Sequence, residues 1–415
     1  MFLVPSSYPR ISDTTQSALM ASSSRRSWSL SLMPPEILQE IFYKTPAEAL
    51  IRSKPTCKEW YALITDKRFI NEHFNRSKEH FIRIFDDKVE IMDPVTTTSS
   101  VSPVPNALRQ HPYKITLVYP LMVHCDGLML VAYDIDDCSC GSDGSRLPNL
   151  ALWNPVLKNL RWVEPSRGIT SYDLHGIGYD KNNRSDGYKI LRFIRVPGEF
   201  QGYGDVEMYE CKTCSWRTLD VKLDYAGVMR KWVAVMGNMY WIACRVEEDD
   251  EEEVFIRCFD FSDETFKDIC FCPTSDYDNS HLAIFDGDSL SLLQQDQASK
   301  KIQVWVSSKL GDGDVSFSKY FSLSGSVLPA LRVHENAASP VYCFVKPKSV
   351  IVWCVGVERE GDKVCTCLTN YEIDKDGVRD RKVTKRYNVH DFSGAFVCGY
   401  VYVPSMIPLP WARDD

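Results

Sequence analysis

The chain has 415 residues, 44% of them hydrophobic and 12% aromatic, enough apolar material for one large core and a small accessory one. Its 56 acidic against 48 basic side chains leave a formal charge of −8 with no cationic cluster, which argues against a nucleic-acid partner, because phosphate contacts need clustered positive charge. The 15 cysteines are odd in number, and many, such as Cys244, Cys258, Cys354 and Cys398, fall inside apolar runs, so they read as small hydrophobes in a reducing compartment rather than as a disulfide scaffold.

Residues 1–29 are rich in Ser and Thr and contain no apolar run suited to a signal sequence, so they read as a disordered N-terminal segment. Met20-Ala21 followed by three serines resembles an initiation context, which would make residues 1–19 an optional extension. No run elsewhere approaches the roughly 18 apolar residues needed to span a membrane. The expectation is a soluble intracellular protein, in the nucleus and/or cytoplasm, with no membrane partner.

Residues 30–75 read as a module of three short helices. Pro34 and Pro35 suit a first turn, where a missing N–H costs nothing, and Glu36 complements the positive end of the dipole. Ile37, Leu38, Ile41 and Phe42 then form one apolar stripe. Thr45-Pro46-Ala47-Glu48 has the pattern of a capping box with proline at the first helical position, starting a second helix at Pro46 that carries Ala49, Leu50 and Ile51 and is stopped by Pro55. Thr56-Cys57-Lys58-Glu59 is a second capping box, opening a third helix with Trp60, Leu63 and Ile64 inward; Phe69, Ile70 and Phe74 prolong the apolar pattern. About 45 residues bury too little apolar area to offset their ordering entropy, so the missing half of this core is expected from a partner.

This ordered set resembles the F-box. Met33-Pro34 stands where the family usually has Leu-Pro, followed by Glu36-Ile37-Leu38 and Ile41, then Pro46-Ala47, Leu50, Arg52, Cys57-Lys58-x-Trp60, Leu63-Ile64 and Phe69 at the family's spacing. Thr45, Thr56 and Ser53 depart from the usual apolar residues, and Pro55 shortens the second helix. The resemblance implies docking on a Skp adaptor, with Met33, Pro34, Ile37, Leu38, Ile41, Phe42, Leu50, Cys57, Trp60, Leu63 and Ile64 as the docking and supporting set.

From about residue 80 the apolar pattern alternates, as in strands. His80–Phe85 reads as a strand, residues 93–112 as a Pro/Ser/Thr-rich linker, and residues 76–112 together as a connection. Over 113–405 a unit recurs: an apolar hairpin, a strand, a polar turn, and a strand entered by an aromatic. The copies begin near Val123, Leu174, Trp232, His281 and Val341, with hairpin turns at Gly237-Asn238 and Asp286-Gly287-Asp288. Intervals of roughly 50 to 60 residues, long units being explained by insertions, are blade-sized. Residues 80–118 with the strands around Phe396 to Val403 would complete a further blade and close the ring. The expected fold class is therefore mainly β with a small N-terminal α module, a β-propeller of about six blades; the alternative is a two-sheet β-sandwich. Residues 406–415 read as a tail.

The same stretch resembles the plant F-box-associated domain through Cys125-Asp126-Gly127-Leu128, Trp153-Asn154-Pro155, Gly176 to Asp180, Tyr188-Lys189-Ile190, Ser215-Trp216-Arg217, Gly237 to Trp241, Phe259-Asp260-Phe261, Trp305-Val306 and Tyr402 to Ser405. The resemblance implies a kelch-like propeller that captures proteins. Together the two resemblances imply a non-catalytic substrate receptor of an SCF-type (Skp-cullin-F-box) ubiquitin ligase, linked through the adaptor to cullin and RING subunits and holding a target that the sequence does not identify.

Residues suited to chemistry are scattered. Cys211-x-x-Cys214 has half the ligands of a zinc site but no second pair at metal spacing; Cys138-x-Cys140, Cys270-x-Cys272 and Cys365-x-Cys367 have strand-face spacing. No catalytic triad assembles from the eight histidines, and no metal or cofactor is expected. Glu247 to Glu253 are seven consecutive carboxylates, a self-repelling loop or a means of steering a basic partner. Trp153, Trp216, Trp241 and Trp305 read as packing between blades. Two other readings stay open: an adaptor-free interaction scaffold with a degenerate F-box, and a propeller enzyme, which would need ligands or acid–base groups converging on the channel.

Overall fold

The computed structural model describes residues 33–85, 88–105, 121–132, 150–164, 166, 173–184, 187–195, 203–221, 232–246, 252–276, 279–325, 328–332, 339–360, 363–388 and 399–411. The expected N-terminal segment with its Met20 start, the Cys138/Cys140 pair and residues 247–251 of the acidic run lie outside them. The chain divides into two compact units, residues 1–42 and 43–415.

Among the described residues twenty-four strands form six separate four-stranded antiparallel sheets, so the sandwich alternative is excluded and the ring has six blades. Blade two is β4 (Leu121–Cys125), β5 (Leu128–Ala132), β6 (Leu150–Asn154) and β7 (Asn159–Val163); blade three is β8 (Leu174–Tyr179), β9 (Tyr188–Arg195), β10 (Tyr203–Glu210) and β11 (Ser215–Leu219). Blade four is β12 (Trp232–Val235), β13 (Asn238–Val246), β14 (Glu252–Asp260) and β15 (Thr265–Phe271); blade five is β16 (Ser280–Phe285), β17 (Ser289–Gln295), β18 (Ile302–Ser307) and β19 (Phe317–Leu323). Blade six comprises β20 (Val341–Lys346), β21 (Ser349–Glu360), β22 (Lys363–Asp374) and β23 (Gly377–Asn388). These are the five repeats read from the sequence.

Blade one joins the two ends of the domain. Its order is β24 (Gly399–Tyr402), β1 (His80–Phe85), β2 (Lys88–Met92), β3 (Ser99–Pro103), with His80 opposite Tyr402 and Phe81 opposite Val401. The stretch read as a linker thus supplies strand β3, whose Val101 faces Glu90. Its Ser-rich composition hid it; β3 is an outer, mostly exposed edge, where polar side chains and a terminal proline are tolerated. In blade six, β23 begins at Gly377, not near Val383, because its charged alternating residues look like a polar turn.

Turn chemistry sets the hairpins. Asp126-Gly127, Met236-Gly237 and Asp286-Gly287 all have positive φ at both positions, as a turn matching strand twist requires. The third hairpin therefore turns one residue earlier than Gly237-Asn238, and Asn238 opens β13. A Cβ on Gly127 would lie 2.3 Å from the Ser405 side chain, and one on Gly237 would lie 2.6 Å from the Tyr179 ring, so both glycines also permit close approach.

The inner strands adjoin in sequence, β4 with β8, β8 with β12, β12 with β16, β16 with β20 and β20 with β24. The core is a series of layers between blades. Ile82 and Tyr402 of blade one meet Val131 and Trp153 of blade two, while Phe81 and Met92 meet Ile351 and Trp353 of blade six. Trp153 and Trp241 are buried as packing residues, whereas Trp216 and Trp305 are half-buried. Residues 406–411, read as a tail, include the buried Met406 and Ile407, and the Asn154 amide donates to the carbonyls of Ser405 (3.1 Å) and Ile407 (2.7 Å).

Since β24 closes the ring, Tyr402→Ala should cost roughly 3–5 kcal/mol in urea unfolding, the scale for removing a buried aromatic. Phe271→Ser, at a residue 72% exposed on an outer strand, should stay within about 0.5 kcal/mol of wild type.

Candidate protein-docking site

The N-terminal module holds four helices where three were expected: α1 (Pro35–Tyr43), α2 (Ala47–Ser53), α3 (Lys58–Thr65) and α4 (Lys67–Arg76). The expected third run is divided at Asp66, whose extended backbone ends α3 and whose carboxylate accepts from the amides of Arg68 and Phe69, both at 2.9 Å, as the N-cap of α4. The other caps fall one residue later than expected. Pro46, not Thr45, precedes α2 and makes no side-chain cap, and Cys57, not Thr56, caps α3, its sulfur accepting from the Trp60 amide at 3.5 Å.

Burial sorts the expected docking set. On α1, Ile37 and Ile41 are 51% and 44% exposed, one turn apart on one side of the helix, and Pro34 is exposed just before it. Leu38 and Met33 are half-buried and Phe42 is buried. In α2 and α3, Leu50 and Ile64 are buried, whereas Cys57, Trp60 and Leu63 are half-buried. The α1 turn thus leaves two large aliphatic side chains, Ile37 and Ile41, exposed to water. Ser53, where the F-box usually has an apolar residue, donates its hydroxyl to the Ala49 carbonyl at 2.8 Å, so its polar group is satisfied within α2.

Several structural residues escaped the sequence reading. His73, buried on α4, donates from Nε2 to the Thr45 carbonyl at 2.8 Å and so pins the loop that leads into α2. Tyr43 stacks on Phe69 at 5.0 Å, with the Arg76 guanidinium 4.3 Å from the Tyr43 ring. Tyr61 is exposed on α3 with Lys54 over its ring. Asp66 alone had a local signal, a capping residue directly before a charged turn; the others depend on long-range contacts.

The propeller buries ionisable groups in pairs. Arg192 on β9 donates to Asp173 from Nη2 (2.6 Å) and Nε (3.0 Å), and to Glu207 from Nη1 (3.3 Å), while Ser166 donates to the same Glu207 oxygen at 2.7 Å. His175 lies opposite Arg192 in the β8–β9 register, buried, and among the described residues neither ring nitrogen has a hydrogen-bonding partner. Such a row fixes strands rather than presenting groups to a substrate. Among the described residues no three His, Cys, Asp or Glu side chains converge as metal ligands. Cys211 is buried and Cys214 exposed on the β10–β11 turn, and burial pushes the Cys211 thiol far up. Of the acidic run, Glu252 and Glu253 open β14, and Glu253 pairs with Arg245 at 3.1 Å. No helix among the described residues is long and apolar enough to cross a membrane.

A helical module with an exposed aliphatic stripe, ahead of a six-bladed propeller, defines a two-part binding protein. The F-box domain family matches residues 30–72, and the F-box associated beta propeller domain family matches residues 73–409. The chain belongs to the F-box proteins with an F-box associated β-propeller domain. It is 44% identical to F-box protein At3g08750 of Arabidopsis thaliana over 384 residues, covering 91% of this chain and 97% of the relative. It is 36% identical to F-box/WD-40 repeat-containing protein 1 of the same plant over 401 residues, covering 93% and 91%. Among solved structures, that of YjhT aligns with a TM-score of 0.39 at 12% identity over 64% of this chain and 83% of its own.

Two outcomes follow from the geometry. Asp66→Ala should cost about 1 kcal/mol by urea unfolding read at the helical circular-dichroism signal, and Cys57→Ala less, because sulfur is the weaker acceptor. Burial holds the His175 imidazole down at about 4, with Asp173 pulling the other way and Arg192 adding to the fall. The unfolded chain therefore takes up this proton first, so stability present above about pH 6.5 is lost as pH falls toward 4, by up to about 1.4 kcal/mol per unit. Between pH 7 and 5 the wild type should lose about 2 kcal/mol more than His175→Gln in urea titrations.

Proposed function

We propose that this chain is the substrate-recognition subunit of an SCF-type ubiquitin ligase. The carrying observation is the exposed Ile37 and Ile41 stripe on α1, inside the segment matched by the F-box family. In this reading α1, with Pro34, Leu38 and Met33, meets a Skp adaptor, and Leu50, Cys57, Trp60, Leu63 and Ile64 support the module. The adaptor ties the chain to cullin and RING subunits, and the propeller holds a target protein in the nucleus and/or cytoplasm. The chain contributes no reacting group; holding the target raises its effective concentration at the ubiquitin-carrying enzyme.

Strand direction supports a choice of target face. The β1 strand starts, directly after α4, at the end of the ring where the short turns 126–127, 236–237, 286–288 and 347–348 lie. The longer connections 104–120, 133–149, 220–231 and 324–340 join strand ends at the opposite side. Long connections on a rigid scaffold are where recognition concentrates, so the target is assigned to the end of the ring opposite the start of β1.

The test is co-expression with a plant Skp adaptor, read by affinity co-purification and size-exclusion light scattering. A one-to-one complex is expected, weakened at least roughly 30-fold by Ile37→Asp/Ile41→Asp, as for loss of an interface hot spot. A folded chain that forms no complex would turn the assignment to the adaptor-free scaffold.

A further inference from the structure

Helices α2–α4 and the propeller belong to one compact unit, and α4 passes into β1 through only residues 77–79. The half-buried Ile70 and Phe74 of α4 pack on the same cluster that contains Tyr179, Tyr188 and Ile407 of the ring. Beside them the loop between β8 and β9 sends Arg184 across to Asp126, in the β4–β5 turn, with contacts of 2.8 Å from Nη2 and 2.9 Å from Nε. The Tyr188 hydroxyl donates to the same Asp126 oxygen at 2.9 Å. The guanidinium of Arg184 also lies 5.2 Å from the Tyr179 ring and 6.0 Å from the Phe74 ring. One side chain thus touches two blades and the last F-box helix.

We propose that Arg184 is a positioning residue, the centre of a clamp in which Asp126 and Tyr188 aim its guanidinium so that Tyr179 and Phe74 are held together, locking α4 at a fixed angle on the ring. Because α4 carries the F-box helices into the propeller, this junction sets the angle at which a captured protein is presented. That last consequence rests on the ligase reading above; the clamp itself does not.

An ion-paired guanidinium suits this task. A methylene-chain ammonium would keep the charge attraction to Asp126 but lose the two-donor contact with it and the planar cation within about 6 Å of two ring centroids. The pair is also largely shielded, with Asp126 nearly buried, so the contact is screened little by salt. Three residues between α4 and β1 are enough to act as a hinge, so without the clamp the packing of Ile70 and Phe74 is what still restrains α4.

The decisive experiment is amide hydrogen exchange on the full chain. Arg184→Ala should speed exchange of α4 roughly tenfold, the loss expected for a partly desolvated cation–π contact, while β8 and β9 keep their protection. Phe74→Leu should act in the same direction. If Arg184→Ala instead loosens the whole ring, Arg184→Lys decides, since it keeps the ion pair and should still free α4. Unchanged α4 exchange in both Arg184→Lys and Phe74→Leu overturns the proposal. In a reconstituted ligase with adaptor, cullin and RING subunits, Arg184→Lys should spread ubiquitin over more of the chain's own lysines without altering adaptor affinity; an unchanged pattern would remove the presentation role. Failure of the wild type to bind adaptor would sink the ligase reading alone, because the exchange result judges the clamp by itself.

Discussion

Everything in the propeller depends on the pairing of β24 with β1. A blade is a four-stranded sheet apolar on both faces, and it becomes stable only when a neighbour covers each face. Five blades built from consecutive strands would leave the outer faces of blades two and six in water. Blade one covers both, with Ile82 and Tyr402 toward blade two and Phe81 and Met92 toward blade six. It is the one blade that consecutive sequence does not supply, since its innermost strand comes from residues 399–402. The hydrogen bonds from Asn154 to the carbonyls of Ser405 and Ile407 hold the chain just beyond that strand. Closure is thus a long-range event, and the entropy of joining residues more than 300 apart is offset by two inter-blade layers at once.

The helical module solves its size problem differently at its two ends. Residues 43–76 fall in the same compact unit as the ring, where Ile70 and Phe74 find apolar partners that so short a segment cannot provide. The α1 stripe keeps Ile37 and Ile41 in water. An aliphatic surface left in solvent adds nothing to the stability of the folded chain, which is the observation on which the adaptor-docking proposal rests. Leu50 and Ile64 behave in the opposite way, each about 1% exposed in the core of the module.

Patterns of local origin were legible in the sequence, and features decided by distant partners were not. The five hairpin-led repeats could be read because Asp-Gly and Met-Gly turns and apolar alternation are local, and the six-blade ring follows from their spacing. Strand β3 was hidden because an exposed outer strand needs no apolar face, and β23 because its charges alternate with few hydrophobes. The helix caps moved by one residue: Pro46 has a helix-compatible φ of −55° but an extended ψ of 143°, so it precedes α2, and the extended Cys57 takes the capping place expected of a hydroxyl. His73 and Arg184 carried no sequence signal, since their roles rest on Thr45, Asp126 and Phe74, separated from them by 28, 58 and more than 100 residues.

The buried charges bear on why a propeller suits this kind of protein. Arg192 with Asp173 and Glu207, and Arg83 with Glu90, lie inside a core that apolar residues of similar volume could fill with equal or greater stability. What an ion pair adds is a penalty for error, because a one-residue slip of β9 against β8 would move Arg192 out of register with the sheet face that carries His175 and leave charge uncompensated. A layer of interchangeable aliphatics has no such penalty, and six similar blades offer many wrong pairings. Fixed register keeps the strand ends, and with them the bases of the connecting loops, in fixed positions. The same groups in an enzyme would have to face a substrate; here they are sealed within single blades, where their chemistry serves the fold.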